Sequence, residues 1–192
     1  SNGSLRSVVG SNGVYGPVGA RPTSSYQNSN YFRDIVFVAD SSSSPSPAPV
    51  ASTITVDNLA AGASSSAVSF TGKWCASSLT PYYGNASLYS CSSGTTVPDT
   101  YTLRPNVVVA QQYDVYIQYV AYSNRSKSVA VTITHAAGTA SKTIDQSVNG
   151  SQFVLLGRYS FNVGTAGSVK ISQVSSPTAY ASIDAIRLIP VP

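Results

Sequence analysis

The acidic residues are the first candidates for chemistry, because the chain contains seven Asp and no Glu. Glycoside hydrolysis needs two carboxyl groups facing each other about 5–9 Å apart. Asp57 and Asp184 are the pair that a β-sandwich would bring together, because its first and last strands often pair. The alternative is that Asp57 caps a turn and that Asp184 accepts hydrogen bonds from loop amides. We favour the alternative and predict no catalytic residues.

His135 is the single histidine, and it begins the turn-like run HAAGT. A solvent-facing turn residue explains it better than a general base beside a serine. The sequence has no glycine-rich phosphate loop and no cluster with metal-ligand spacing. We therefore predict no cofactor and no metal.

Aromatic side chains are the stronger candidates for ligand contacts, because flat exposed rings stack on the C–H faces of sugars. Five of them lie around the segment between the two cysteines: Trp74, Tyr82, Tyr83, Tyr89 and Tyr101. The alternative is that Trp74 and Tyr83 belong to the core and that the others line the edge of the sandwich. The sequence leaves carbohydrate binding at these rings open.

Cys75 and Cys91 are the two cysteines, sixteen positions apart. In an exported chain a disulfide is the first expectation. A closed loop of that size stabilises the fold by about 3 kcal/mol in the chain-entropy model.

Composition and charge exclude several classes of protein. Charged residues make up 9% of the chain, and the net charge is +4. The basic residues are dispersed, and Arg125 with Lys127 fits a hairpin turn better than a nucleic-acid patch. No apolar run approaches 18 residues, so we predict no membrane span. The sequence begins at Ser1 without a signal peptide, which suggests a mature or trimmed product.

Four positions match the acceptor pattern for N-linked glycans, and export would make them sites of attachment. They are Asn2, Asn85, Asn124 and Asn149. Their number is close to chance in a chain this rich in Ser and Thr.

The strand pattern is clearest at residues 111–122, QQYDVYIQYVAY, which alternate with a period of two and carry bulky side chains on both faces. This predicts a central strand of a sheet. Similar segments recur about every ten residues, which predicts an all-β, jelly-roll or immunoglobulin-like antiparallel sandwich. The predicted strands of the sandwich are 52–56, 67–70, 97–103, 111–122, 128–135, 141–146, 153–161, 167–173 and 180–189.

The chain divides into three parts by composition. Residues 1–40 form a β-rich arm that is too short to bury a sandwich core. Residues 41–50, SSSSPSPAPV, read as an extended linker, and 51–192 form the sandwich. The strand in the arm has large apolar side chains on both faces, and both faces must be buried. This predicts an assembly contact with another copy of the chain. The residues of that contact are Tyr31, Phe32, Ile35, Val36, Phe37 and Val38.

Several motifs in 53–191 resemble the golvesin C-terminal domain family, also called the xanthan-lyase carbohydrate-binding-like domain. They include VDN at 56–58, FTGKW at 70–74, YYGNASLYS at 82–90 and YASIDAIRLIP at 180–190. The resemblance implies an exported β-sandwich of a kind appended to wall-active enzymes and surface proteins, with a carbohydrate-binding role. Residues 10–39 resemble the closing hairpin of another bacterial extracellular sandwich domain of unknown function.

Two functions follow from these observations. The first is a non-catalytic extracellular structural subunit, whose arm adds a strand to a neighbouring copy and so builds a filament or surface layer. The alternative is a carbohydrate-binding module from a larger wall- or polysaccharide-active protein. An enzyme is the least favoured reading.

Overall fold

The computed structural model describes residues 48–84, 86–92, 96–176 and 178–192, which belong to one unit of the chain, Ala48–Pro192. The predicted arm at 1–40, its six assembly residues and most of the predicted linker lie outside the described residues.

The described residues form an all-β, antiparallel fold, as the sequence predicts. Their twelve strands are β1 (Ile54–Asp57), β2 (Val68–Thr71), β3 (Trp74–Ser77), β4 (Ser87–Ser90), β5 (Asp99–Leu103), β6 (Gln111–Gln118), β7 (Val129–His135), β8 (Gly138–Ile144), β9 (Val154–Phe161), β10 (Ser168–Gln173), β11 (Ser182–Ile183) and β12 (Ala185–Pro190).

Three sheets arrange these strands. The four-stranded sheet has the order β1-β12-β6-β9, and the five-stranded sheet has the order β2-β5-β10-β7-β8. A smaller sheet has the order β11-β4-β3. Strand β6 lies between β12 and β9, which confirms that it is an interior strand, and β1 pairs with β12, as expected of first and last strands.

The core lies along the inward face of β6. Tyr113, Val115 and Ile117 are fully buried, and Tyr113 packs edge-on against Phe161. The Tyr113 hydroxyl donates to the carbonyl of Val109 at 2.8 Å, so burying this polar tip leaves no unmade hydrogen bond. The alternation seen in the sequence therefore places a tyrosine ring in the core without an electrostatic penalty.

Strand β6 ends at Gln118, four residues before the predicted end. Beyond it, a loop amide and a side chain of β11 take the hydrogen bonds that a sheet neighbour would otherwise make. The amide of Ser151 donates to the carbonyl of Tyr119 at 2.6 Å, and the amide of Val120 donates to Ser182 Oγ at 3.2 Å. The segment 119–122 is thereby free to leave the sheet and turn toward the smaller one.

Strands β3 and β4 have no counterpart in the sequence prediction, because each is four residues long and rich in Ser and Ala. They pair with each other, and β4 also pairs with β11. A disulfide between Cys75 and Cys91 joins this pair, as predicted. Beside it the amide of Cys91 donates to the carbonyl of Lys73 at 2.8 Å.

Removing the disulfide is expected to lower the free energy of unfolding by about 3 kcal/mol, because the unfolded chain regains the freedom of the closed loop. The double variant Cys75→Ser with Cys91→Ser tests this in urea unfolding followed by tryptophan fluorescence. The wild type in reducing buffer is the control and should approach the variant. Equal unfolding midpoints for oxidised wild type and variant would contradict the prediction.

Candidate functional site

The smaller sheet and two loops enclose an open cavity of about 470 Å³. One wall is the end of β3 and the residues after it, 76–79. The opposite walls come from β4, from the loop after β6 and from the loop before β11. These elements contribute Tyr89, Tyr122, Asn124, Arg125 and Tyr180.

Backbone hydrogen bonds fix the two loops against each other. Arg125 and Tyr180 form an isolated parallel bridge, in which the amide of Ser126 donates to the carbonyl of Tyr180 at 2.8 Å. The amide of Tyr180 donates to the carbonyl of Asn124 at 3.1 Å. The buried side chain of Gln146 exchanges two hydrogen bonds with the backbone of Ser182, which follows this loop. The cavity walls therefore rest on paired backbone.

Three tyrosine rings face this site with different exposures. Tyr89 and Tyr180 are half-buried and pack edge-to-face, with their ring centroids 5.5 Å apart. Tyr122 is 50% exposed. Phenol rings offer both an apolar face and a hydroxyl, which is the combination that sugar rings recognise.

Arg125 is the charged group of the cavity. Its side chain is 4% exposed, and its guanidinium carbon lies 5.0 Å from the centre of the Tyr89 ring. Nη1 donates to Asn124 Oδ1 at 2.8 Å, whereas Nε has no hydrogen-bond partner among the described residues. Burial lowers the pKa of this guanidinium, and the neighbouring tyrosines partly oppose that effect. Arginine nonetheless stays charged in proteins, so the cavity holds a buried cation.

The structure separates the five aromatic residues that the sequence groups together. Tyr89 lines the cavity. Trp74 and Tyr101 are 4% and 1% exposed and pack edge-to-face at 5.1 Å, as core side chains do. Trp74 donates its indole N–H to two backbone carbonyls, which fits the alternative that it belongs to the core. Sugar contact at these two rings stays a prediction.

Tyr82 and Tyr83 lie in the loop before β4, outside the cavity wall. Tyr82 is 38% exposed. Tyr83 packs edge-on against Phe153, and the Arg187 guanidinium lies 3.7 Å from the centre of that second ring. Tyr83 is half-buried in this cluster, whereas the alternative reading placed it in the core.

Sequence reasoning missed Tyr122, Arg125 and Tyr180 as a group. Arg125 reads as a turn residue, and the other two read as the ends of strands. The pattern of alternation gives no information about which loops meet, so the parallel bridge between Arg125 and Tyr180 could not be foreseen.

Asp57 and Asp184 do lie close together, beside the loop at 82–84. Asp184 is fully buried, and its Oδ2 accepts a hydrogen bond from the amide of Tyr83 at 2.8 Å. An added Cβ at Gly84 would overlap Asp57 Oδ2, which shows how tightly this loop covers the pair. Each carboxyl keeps its Oδ1 buried without a hydrogen-bond partner among the described residues. The expected structural role of Asp184, accepting from a loop amide, is confirmed.

The environment of this pair changes its protonation. Burial raises the pKa of Asp184 to about 6, and the negative charge of Asp57 adds to the rise, against the opposing effect of the Tyr83 amide. Burial likewise raises the pKa of Asp57. A fully buried carboxyl with a loop amide on one oxygen leaves no space for a sugar and its water, so the pair lacks the access that glycoside hydrolysis requires.

The predicted glycan sites fall in different places. Asn124 lies in the cavity wall, where its Oδ1 accepts from Arg125. Asn149 lies in the turn before β9 and adopts a positive φ of 57°. Asn2 and Asn85 lie outside the described residues. Within the described ranges no three His, Cys or Asp side chains gather as metal ligands would.

The sandwich and its smaller sheet define an all-β module, and comparison with known proteins identifies its family. The family model described as "Golvesin C-terminal domain" matches residues 54–190. The chain therefore belongs to this family, which confirms the resemblance stated from the sequence.

Two xanthan lyases are similar to the chain. The "Xanthan lyase" of Bacillus sp. (strain GL1) is 34% identical over 146 residues, which are 74% of this chain and 15% of that protein. The solved structure of a Paenibacillus xanthan lyase is 34% identical, with a TM-score of 0.65, and the match covers 73% of this chain and 13% of that one. The chain thus spans a small part of the length of each relative.

No helix long and apolar enough to cross a membrane occurs in the part of the chain that the structure describes. The disulfide forms and persists in oxidising compartments, which fits a secreted protein.

The free energy of unfolding is expected to fall as pH rises from about 4 to about 6. Below its ordinary pKa of 3.8, Asp184 is protonated in both the folded and the unfolded protein, so its stabilising contribution is complete there. That contribution is lost as the pH rises through the higher pKa of the folded protein. The loss is on the order of 3 kcal/mol.

Urea unfolding across this pH range measures the effect. Asp184→Asn keeps an acceptor for the Tyr83 amide and should flatten the slope. Asp145→Asn is the control, because Asp145 is held by Ser147 with a lowered pKa and should leave the slope in this window unchanged. An unchanged slope in Asp184→Asn would contradict the assignment.

Proposed function

We propose that the chain is an exported, non-catalytic carbohydrate-binding module of a larger polysaccharide-active protein, and that the cavity at Tyr89, Tyr122 and Tyr180 binds the sugar. The observation that carries this proposal is the open cavity whose walls combine tyrosine rings with hydrogen-bonding groups. The rest of the proposal rests on the size of the site and on the relatives.

The size of the cavity fits a short stretch of a polysaccharide. Small-molecule sites commonly have volumes of about 300–1,000 Å³, and this cavity falls within that range at about 470 Å³. The half-exposed ring of Tyr122 provides a stacking surface, and Ser77, Ser78 and Asn124 provide polar groups beside it. A sugar ring needs both kinds of contact, because it has apolar C–H faces and a polar rim.

The relatives support the module reading over the structural one. In each xanthan lyase the matched region is a small fraction of the protein, and the name of that protein refers to action on a polysaccharide. A region of this size beside a larger enzyme is the arrangement expected of a binding module. The filament hypothesis depends on residues 1–40, outside the described part of the chain, and stays a prediction.

Replacing Tyr122 with Ala is expected to weaken polysaccharide binding roughly three- to tenfold, because an exposed stacking face is lost. Affinity electrophoresis in gels containing xanthan, together with an array of oligosaccharides, measures binding. Tyr82→Ala is the matched control, since Tyr82 is also partly exposed but does not line the cavity. If Tyr82→Ala weakens binding and Tyr122→Ala does not, the cavity is the wrong site. If the wild type binds no glycan, the proposed function is wrong.

The purified chain is expected not to depolymerise xanthan, because Asp184 of the close carboxyl pair is fully buried beneath the loop at 82–84. Viscosity and the appearance of new chain ends over a long incubation measure cleavage. Turnover that disappears in Asp184→Asn would show that the chain is an enzyme.

A further inference from the structure

No carboxylate among the described residues forms an ion pair with Arg125. A buried charge is normally paired, because removing it from water is unfavourable. The ion pair in the described part of the chain joins Arg158 to Asp114, away from the cavity wall. The other described carboxylates have different surroundings: Asp57 and Asp184 lie beside the loop at 82–84, Asp99 accepts from Ser92 and Ser175, and Asp145 accepts from Ser147.

The tyrosines hold the guanidinium in place without neutralising it. The negative face of the Tyr89 ring lies 5.0 Å from the guanidinium carbon, a cation–π contact that fixes the side chain. Asn124 accepts one N–H and is itself uncharged. These two uncharged neighbours orient the guanidinium of Arg125 and do not neutralise its charge.

The donors of Arg125 exceed the acceptors that surround them. A guanidinium carries five N–H groups in a planar fork, and the described residues accept one of these through Asn124 Oδ1. A carboxylate accepts charge-assisted hydrogen bonds from such donors, and the pair is stronger in a desolvated site than in water. Arg125 lines the cavity, so an anion carried by a ligand there would supply further acceptors.

We propose that the cavity selects sugars that carry a carboxylate, such as uronic acid units, and that Arg125 is the residue that determines this specificity. The inference rests on the proposed function, because it assigns the charge of the sugar to the same cavity. The carboxylate pairs with the Arg125 guanidinium while the sugar ring packs on Tyr122.

The experiment compares each acidic polysaccharide with its own carboxyl-reduced form, which keeps the backbone and removes the charge. Xanthan and alginate, each with its reduced form, are the probes in affinity electrophoresis. The wild type is expected to bind an acidic form about tenfold or more tightly than the reduced form. Added salt should weaken binding to the acidic form more than binding to the reduced form.

Arg125→Gln should remove this preference for the acidic form. Lys142→Gln is the charge-matched control, since Lys142 is an exposed residue of β8 that does not line the cavity. Arg125→Lys keeps the charge without the fork and should show a smaller preference than the wild type. Thermal melting checks that each variant is folded. If Arg125→Gln does not fold, the comparison of acidic and reduced polysaccharide with the wild type still tests the inference.

The outcomes separate the two proposals. Equal wild-type binding of acidic and reduced forms, or a preference that persists in folded Arg125→Gln, would overturn this inference and leave the proposed function intact. A sulfated neutral glycan bound equally well through Arg125 would overturn the assignment to a carboxylate. Absence of binding to all four probes and to the oligosaccharide array would overturn both.

Discussion

The described structure depends on one residue at the junction of its sheets. Asp184 separates β11, which pairs in the smaller sheet, from β12, which pairs in the four-stranded sheet. Its amide donates to Gln118, its carbonyl accepts from Asn58, and its carboxyl accepts from Tyr83. One residue thus joins the end of β6, the end of β1 and the loop before β4. These bonds fix the smaller sheet, which carries the cavity, against the core.

That connection explains how a site on loops can be rigid. The ring of Tyr89 projects from β4, which pairs with β11 on one side and with β3, closed by the disulfide, on the other. The loop that carries Arg125 is bonded to Tyr180, immediately before β11. A guanidinium held in this way would lose little freedom on binding the proposed anion.

The cavity also illustrates a balance between stability and binding. A chain optimised for stability alone would pair Arg125 with a carboxylate, as Arg158 is paired with Asp114 on the surface. Leaving the buried cation with neutral neighbours costs free energy in the unliganded protein, and a ligand carboxylate would recover part of it. The raised pKa of Asp184 shows a similar cost at the sheet junction, where a buried carboxyl is favoured in its protonated form.

The sequence by itself determined the all-β class, the interior position of β6, the disulfide and the structural role of Asp184. These follow from local alternation, from cysteine number and from the way Asp bonds to loop amides. Tertiary structure alone decided which aromatic rings are buried, since alternation assigns residues to faces without saying how fully a neighbouring sheet covers each face. Trp74 and Tyr101 became core, and Tyr122, Arg125 and Tyr180 became one site. The physical reason is that bonds between loops distant in the sequence create the cavity, and no local pattern encodes those bonds.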